Sequence, residues 1–149
     1  MRRGRDLPIL REIVAIRTAQ AVSAEAKVAR AAAGRRGLEQ QRAACLKSLV
    51  EGEVQWRGAL SGRTLSLPLA LAWAGALDDR RGRLRDVDNR IVQAASEAAQ
   101  LARAWRVARD RVETARDQTR AASKALQRTE EEAALNDVTE WIAHRRRRL

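Results

Sequence analysis

Two stretches of the chain carry apolar residues at alternating steps of three and four, the spacing of helices in a coiled coil. In the first stretch, eleven of fifteen stepped positions are apolar. The fifteen positions are Leu7, Leu10, Val14, Arg17, Ala21, Ala24, Val28, Ala31, Arg35, Leu38, Arg42, Cys45, Leu49, Gly52 and Trp56. The pattern predicts a first helix over about residues 7–57. These apolar positions form the line of contact with a partner helix, which we call the seam. The four polar or glycine positions interrupt it and predict that the helix bends or shifts in register there.

The second stretch is more regular, with fourteen apolar residues at seventeen stepped positions. These positions are Leu77, Arg80, Leu84, Val87, Ile91, Ala94, Ala98, Leu101, Trp105, Ala108, Val112, Ala115, Thr119, Ala122, Leu126, Thr129 and Ala133. The spacing predicts a second, longer helix over about residues 68–145 in a left-handed supercoil. After Ala133 the apolar positions shift to Leu135, Val138 and Trp141 or Ile142, which indicates a stutter near the end of this helix.

Glycine, serine and proline collect between the two stretches, and they predict a chain reversal over about residues 58–67. Ser66 is expected to cap the second helix, with Pro68 in its first turn. Asp6 and Pro8 are expected to start the first helix in the same way. We therefore predict an all-α fold: a single domain over residues 1–149, in which a long two-helix antiparallel coiled-coil hairpin forms a rod. A parallel dimer of extended chains is the alternative.

The composition allows only a thin core. The chain has no Phe or Tyr, four Trp and much Ala, which buries little area. No apolar run is long enough for a membrane span, and the charged N-terminus leads into a very short apolar stretch. These features predict a cytoplasmic protein without a signal peptide.

The residues that carry chemistry are sparse. Cys45 and His144 are the single cysteine and histidine, too few for a disulfide or a four-ligand zinc site. Three consecutive glutamates at residues 130–132 point in different directions on a helix and cannot converge on one ion. The glycines at 34 and 37 lack the strand and lysine of a phosphate loop. We expect no catalytic, metal or cofactor site, no small-molecule substrate and no enzyme activity.

The net charge of +11 comes mostly from the chain ends. Without the seven terminal arginines the charge falls to 11 − 7 = +4. These are Arg2, Arg3, Arg5, Arg145, Arg146, Arg147 and Arg148. In a hairpin both clusters would share one end of the rod and form a basic tip. Mixed charges elsewhere are typical of a solvated helix surface.

The last part of the chain, EEEAALNDVTEWIAHRR at residues 130–146, combines an acidic helical turn, an acidic-aromatic pair and a basic tail. With the basic N-terminus and the turn in mid-chain, it resembles the FliJ family of type III export proteins and their injectisome counterparts of the YscO type. The resemblance implies a stalk, similar to the shaft of a rotary ATPase. Its terminal end would enter the hexameric export ATPase, and its turn would approach the export-gate membrane protein.

The resemblance also implies contact residues, export chaperones as further partners, and a cytoplasmic location at the inner-membrane export apparatus. Contacts with the ATPase would involve Arg2, Arg3, Arg5, Arg11, Trp141, Arg145, Arg146, Arg147 and Arg148. Contacts with the cytoplasmic domain of the gate would involve Gln41, Leu49, Trp56, Trp73, Leu77 and Arg80. The family more often carries Gln, Lys and Phe or Tyr where this chain has Ala, Arg and Trp.

Two other functions compete with the stalk. A basic coiled coil could bind nucleic acid through counterion release at its arginine clusters. Only Trp141 lies near those clusters, which disfavours base stacking and hence nucleic acid as a partner. The remaining alternative is a helical scaffold or chaperone without a role in secretion.

Overall fold

The computed structural model describes residues 3–62 and 66–146, with side chains for residues 6–62 and 66–145. Over these residues the chain forms two helices, α1 (Arg3–Leu60) and α2 (Leu67–Arg146). The helices pack against each other as an antiparallel hairpin, which confirms the predicted all-α fold class. Neither helix, over the part described, is long and apolar enough to cross a membrane.

The start of α2 follows the predicted capping chemistry. The backbone N–H of Leu69 donates to Ser66 Oγ at 3.3 Å, and the N–H of Ala70 donates to the Ser66 carbonyl at 3.0 Å. Pro68 lies in the first turn, where its missing N–H has no intrahelical partner to lose. Ser66 is therefore the N-cap of α2, as the sequence predicts.

The start of α1 differs from the prediction. The helix begins at Arg3, ahead of Asp6, and Pro8 lies inside it. Asp6 belongs to the first turn, where a carboxylate is favoured by the helix dipole. Pro8 removes a single backbone donor near the helix end, so the helix tolerates it.

The reversal lies where glycine and serine predicted it. The N–H of Ser61 donates to the Arg57 carbonyl at 3.1 Å, and Ser61 Oγ donates to the Gly58 carbonyl at 2.9 Å. These bonds close the last turn of α1 on carbonyls that lack helical partners. The predicted turn also includes residues 63–65, which lie outside the described residues.

The chain divides into two compact units, each built from both helices. The turn unit comprises Glu25–Arg103, and the terminal unit comprises Met1–Ala24 with Ala104–Leu149. Within the turn unit, Arg42 pairs with Asp88 and Arg81 pairs with Glu53, at 2.6 and 3.5 Å. Within the terminal unit, Arg11 lies along one groove with Thr119 and Arg120. Between these two ion pairs the residue number rises from 42 to 53 on α1 and falls from 88 to 81 on α2, so the two helices run antiparallel.

The core is thin, as the composition predicts. Four hydrophobic side chains are buried among the described residues: Leu77 and Val87 in the turn unit, and Val112 and Ala115 in the terminal unit. All four lie at stepped positions of α2. No polar or charged side chain is buried in the described part of the chain. The other apolar stepped positions through Leu126 are half-buried, so each contributes only part of its apolar area.

Candidate functional site

The last part of α2 has no covering helix among the described residues. Every side chain at residues 127–145 is exposed, whereas Leu126 is half-buried. On α1, the first half-buried residue among the side chains that the structure describes is Leu7. We call residues 127–145 the overhang. The second helix is the longer one, with 80 residues against 58 in α1, as the sequence predicts.

Four large apolar side chains of the overhang face solvent. Leu135, Val138, Trp141 and Ile142 are between 42% and 68% exposed. Their spacing of three and four residues places them on one side of the helix. We call these four residues the overhang stripe. The change in spacing that the sequence analysis interpreted as a stutter begins at Leu135. It lies beyond Leu126, the last described residue of α2 that packs against α1.

The charges of the overhang are segregated along its length. Acidic residues prevail up to Glu140, with five carboxylates at residues 130–132, 137 and 140 against a single Arg128. Arg145 then begins the basic end. Its guanidinium carbon lies 5.2 Å from the centre of the Trp141 ring, within the range of a cation–π contact. The overhang therefore offers an apolar stripe with opposite charges at its two ends.

The predicted ATPase-binding residues fall into three groups in the structure. Arg11, Trp141 and Arg145 are exposed. Arg3, Arg5 and Arg146 lie within the helices, and their side chains are outside the described set. The remaining three lie outside the described residues altogether: Arg2, Arg147 and Arg148.

The predicted basic tip stays a prediction, because of its seven arginines the structure describes the side chain of Arg145 alone. Arg11 lies beside Arg120 in the terminal unit. Arg145 follows Arg120 by 145 − 120 = 25 residues of continuous helix, which is about 37 Å. The overhang thus carries Arg145 away from the level at which Arg11 lies beside α2.

The predicted gate-binding residues all belong to the turn unit, but their exposure differs. Gln41 is exposed, and Leu49, Trp56 and Trp73 are half-buried. Leu77 is only 5% exposed, so its side chain packs between the helices and is not accessible to a partner. Trp56 and Trp73 therefore keep only part of their surface accessible to a partner.

Arg80, the last of the predicted gate residues, is held inside the turn unit. Its Nη1 donates to the Ser48 carbonyl at 2.8 Å. Its guanidinium lies over Gly52, which is buried. The arginine crosses the seam through the space that a glycine leaves, so both residues are parts of one intramolecular contact.

The turn unit also exposes apolar residues that the sequence interpretation did not select. On α1 these include Val50 and Val54, and on α2 Leu67 and Leu71. Each pair is separated by four residues and so shares a helix face. The sequence did contain a signal for them, because each pair repeats an apolar residue after four positions outside the stepped series. We call these four residues the turn patch.

The described residues contain no group of His, Cys, Asp and Glu that could hold a metal ion. His144 is exposed, in a shallow groove with Asp137, Glu140 and Trp141. Cys45 is half-buried at the helix interface.

Comparison with protein-family models, curated proteins and solved structures finds no match to this chain.

Proposed function

We propose that the chain is a central stalk component of a type III protein export apparatus, flagellar or injectisome. It binds the hexameric export ATPase, promotes assembly of the ring and couples the ring to the export gate. The observation that carries this proposal is the overhang, in which Leu135, Val138, Trp141 and Ile142 face solvent. A helix that exposes such a stripe is suited to a partner that surrounds or covers it.

The dimensions of the overhang support entry into a ring. A single α-helix with its side chains is about 10–12 Å wide, narrower than a helix pair. The tryptophan and arginine at its far end, Trp141 and Arg145, are residue types that commonly dominate binding energy at interfaces. On this proposal the overhang lies in the ATPase pore, and Arg145 faces acidic groups of the ring.

The turn unit is proposed to contact the cytoplasmic domain of the gate protein. Gln41 is exposed there, and Trp56 and Trp73 retain accessible surface. The turn patch adds four exposed aliphatic side chains. Leu77 and Arg80 support this surface from inside the hairpin and are not themselves proposed as contacts. The proposed place of action is the cytoplasmic face of the inner-membrane export apparatus, with export chaperones as further partners.

The test uses the cognate export ATPase and two matched substitutions in α2. Ile142→Asp places a charge on the overhang stripe, whereas Val107→Asp places one on an exposed position outside the overhang. We expect the wild-type chain and Val107→Asp to increase ring assembly and ATP hydrolysis. Ile142→Asp should lose most of this effect, because a carboxylate disfavours burial of the stripe.

Two results would reject the proposed contact between the overhang and the ring. One is a folded, helical wild-type chain that changes neither ring assembly nor hydrolysis. The other is equal loss of effect in both variants, which would place the contact elsewhere. Binding of duplex DNA or RNA that weakens steeply with salt, in the absence of ATPase binding, would favour the nucleic-acid alternative.

A further inference from the structure

The overhang is self-complementary about residue 138. Its apolar stripe runs from Leu135 to Ile142, and the midpoint is (135 + 142)/2 = 138.5. The acidic run of residues 130–132 is centred on Glu131, and the basic end begins at Arg145. The midpoint of those two charges is (131 + 145)/2 = 138. The two midpoints differ by half a residue, and Val138 is the stripe residue nearest to both.

A surface with this pattern matches a second copy of itself turned end for end. In a two-fold pair each residue faces a fixed counterpart in the other copy, so the same patch is used twice. With Val138 on the two-fold axis, Glu131 would face Arg145 of the second copy, and Leu135 would face Trp141 of the second copy. Two apolar contacts and two opposite-charge contacts form together.

We propose that a second copy of this chain covers the overhang stripe, so that two overhangs pair as antiparallel helices. The charge pattern selects this occupant and this direction. A parallel pair would place Glu131 against Glu131 and Arg145 against Arg145, and like charges at such positions destabilise a helix pair. The antiparallel pair places opposite charges at both ends and buries the exposed side chains of all four stripe residues.

The interface between the two overhangs spans only a few helical turns, so the interaction is weak. Each copy contributes only the overhang, so the buried area falls in the class of weak or transient interfaces, below about 1,200 Å². The pair is therefore reversible and depends on protein concentration. Because its charged residues are exposed, salt weakens it. The inference does not rest on the proposed function, although pairing covers the surface proposed to enter the ATPase, so the two contacts exclude each other.

Disulfide trapping tests the position of the symmetry axis. In a Cys45→Ser background, Val138→Cys places the only thiol on the proposed axis, within reach of its own counterpart. Leu135→Cys is the matched control, because antiparallel pairing separates the two thiol positions by about 2 × 3 × 1.5 = 9 Å along the axis. Under mild oxidation we expect a covalent dimer for Val138→Cys and at least tenfold less for Leu135→Cys, as read on a non-reducing gel.

Charge exchange tests the direction independently, with association measured by sedimentation equilibrium over a concentration series. Glu131→Arg and Arg145→Glu should each weaken self-association at least fivefold, because each creates two like-charge contacts. The double variant, carrying both substitutions, should recover it, since each exchanged charge then faces its opposite on the other copy. Helicity measured by circular dichroism serves as the folding control, because both positions are exposed.

Several outcomes would overturn the proposal. A wild-type chain that stays monomeric at millimolar concentration and gives no Val138→Cys dimer has no such pairing. Equal cross-linking at both cysteine positions means a parallel pair. Failure of the double charge variant to recover association places the interface elsewhere. Retention of ATPase stimulation in a chain that does not dimerise would leave the proposed function intact and reject the pairing alone.

Discussion

The Arg80 guanidinium occupies the space beside Gly52 in which any other residue would place its side chain. A Cβ built on Gly52 would lie 2.9 Å from Cζ of Arg80 and 3.1 Å from Cδ2 of Leu77. From this position Arg80 donates to the Ser48 carbonyl at 2.8 Å. The glycine that interrupts the predicted seam of α1 is thus matched to the arginine that interrupts the predicted seam of α2.

This match predicts an unusual response to alanine substitution. A methyl group added at Gly34 would have no neighbouring atom within 4 Å, so Gly34→Ala should stabilise the hairpin by about 0.5–1 kcal/mol through helix propensity. Gly52→Ala gains the same propensity but displaces Arg80 and its hydrogen bond. We expect the free energy of unfolding of Gly52→Ala, measured with urea, to be at least about 1 kcal/mol lower than that of Gly34→Ala.

A double-mutant cycle isolates the cause of that difference. In an Arg80→Ala background the obstructing guanidinium is absent, so Gly52→Ala should recover most of the gain seen at Gly34. If the shortfall persists without Arg80, then Leu77 or the backbone of α1 causes it, and the glycine–arginine match is not responsible.

The thin core predicts a strong contrast between two valines of α2 in the turn unit. Val87 is 8% exposed and Val92 is 70% exposed. Val87→Ala should destabilise the hairpin by about 1–2 kcal/mol, because it removes buried methyl groups from one of few buried positions. Val92→Ala should be neutral or slightly stabilising, since alanine is the better helix former. Thermal and urea unfolding of both variants measure the contrast, and equal effects would contradict the described seam.

The ion pair between Arg42 and Asp88 joins the two helices, yet its contribution should be small. The side chains are 47% and 44% exposed, and the shortest N–O distance is 2.6 Å. Exposed pairs of this kind typically contribute about 0.2–1 kcal/mol. We expect a coupling energy within that range from Arg42→Ala, Asp88→Ala and the double variant. The coupling should decrease as salt is added, and a salt-independent value would indicate a packing contact instead.

The sequence predicted most of this fold because helix spacing reports burial directly. Of the stepped positions in α1, only Arg35 and Arg42 are exposed, and both are long cations that extend to solvent. In α2 the stepping holds through Leu126 and fails at Thr129 and Ala133, which are exposed. Periodicity describes which face of one helix is apolar, but it does not report where the partner helix stops.

The candidate contact surfaces were less predictable for the same physical reason. Trp141, selected for a partner, is exposed, whereas Leu77 was also selected for a partner although it belongs to the seam and is buried. An apolar residue near a turn has the same sequence signal whether the opposite helix covers it or leaves it free. The turn patch was missed because its four-residue spacing lies beside the dominant stripe, and only accessibility separates the two faces.

The overhang predicts that stability and partner binding can be separated by truncation. A chain ending at Leu126 loses the stripe and the basic end but none of the four buried residues of the core. At a concentration that keeps the chain monomeric, its free energy of unfolding should stay within about 0.5 kcal/mol of wild type, as for changes at exposed positions. Stimulation of the export ATPase should be lost. A chain ending at Ala108 is the control, because it also removes Val112 and Ala115 and should be clearly less stable. A loss above about 1 kcal/mol on truncation at Leu126 would mean that the overhang packs on the hairpin in solution, and it would then be a structural element and not a free contact surface.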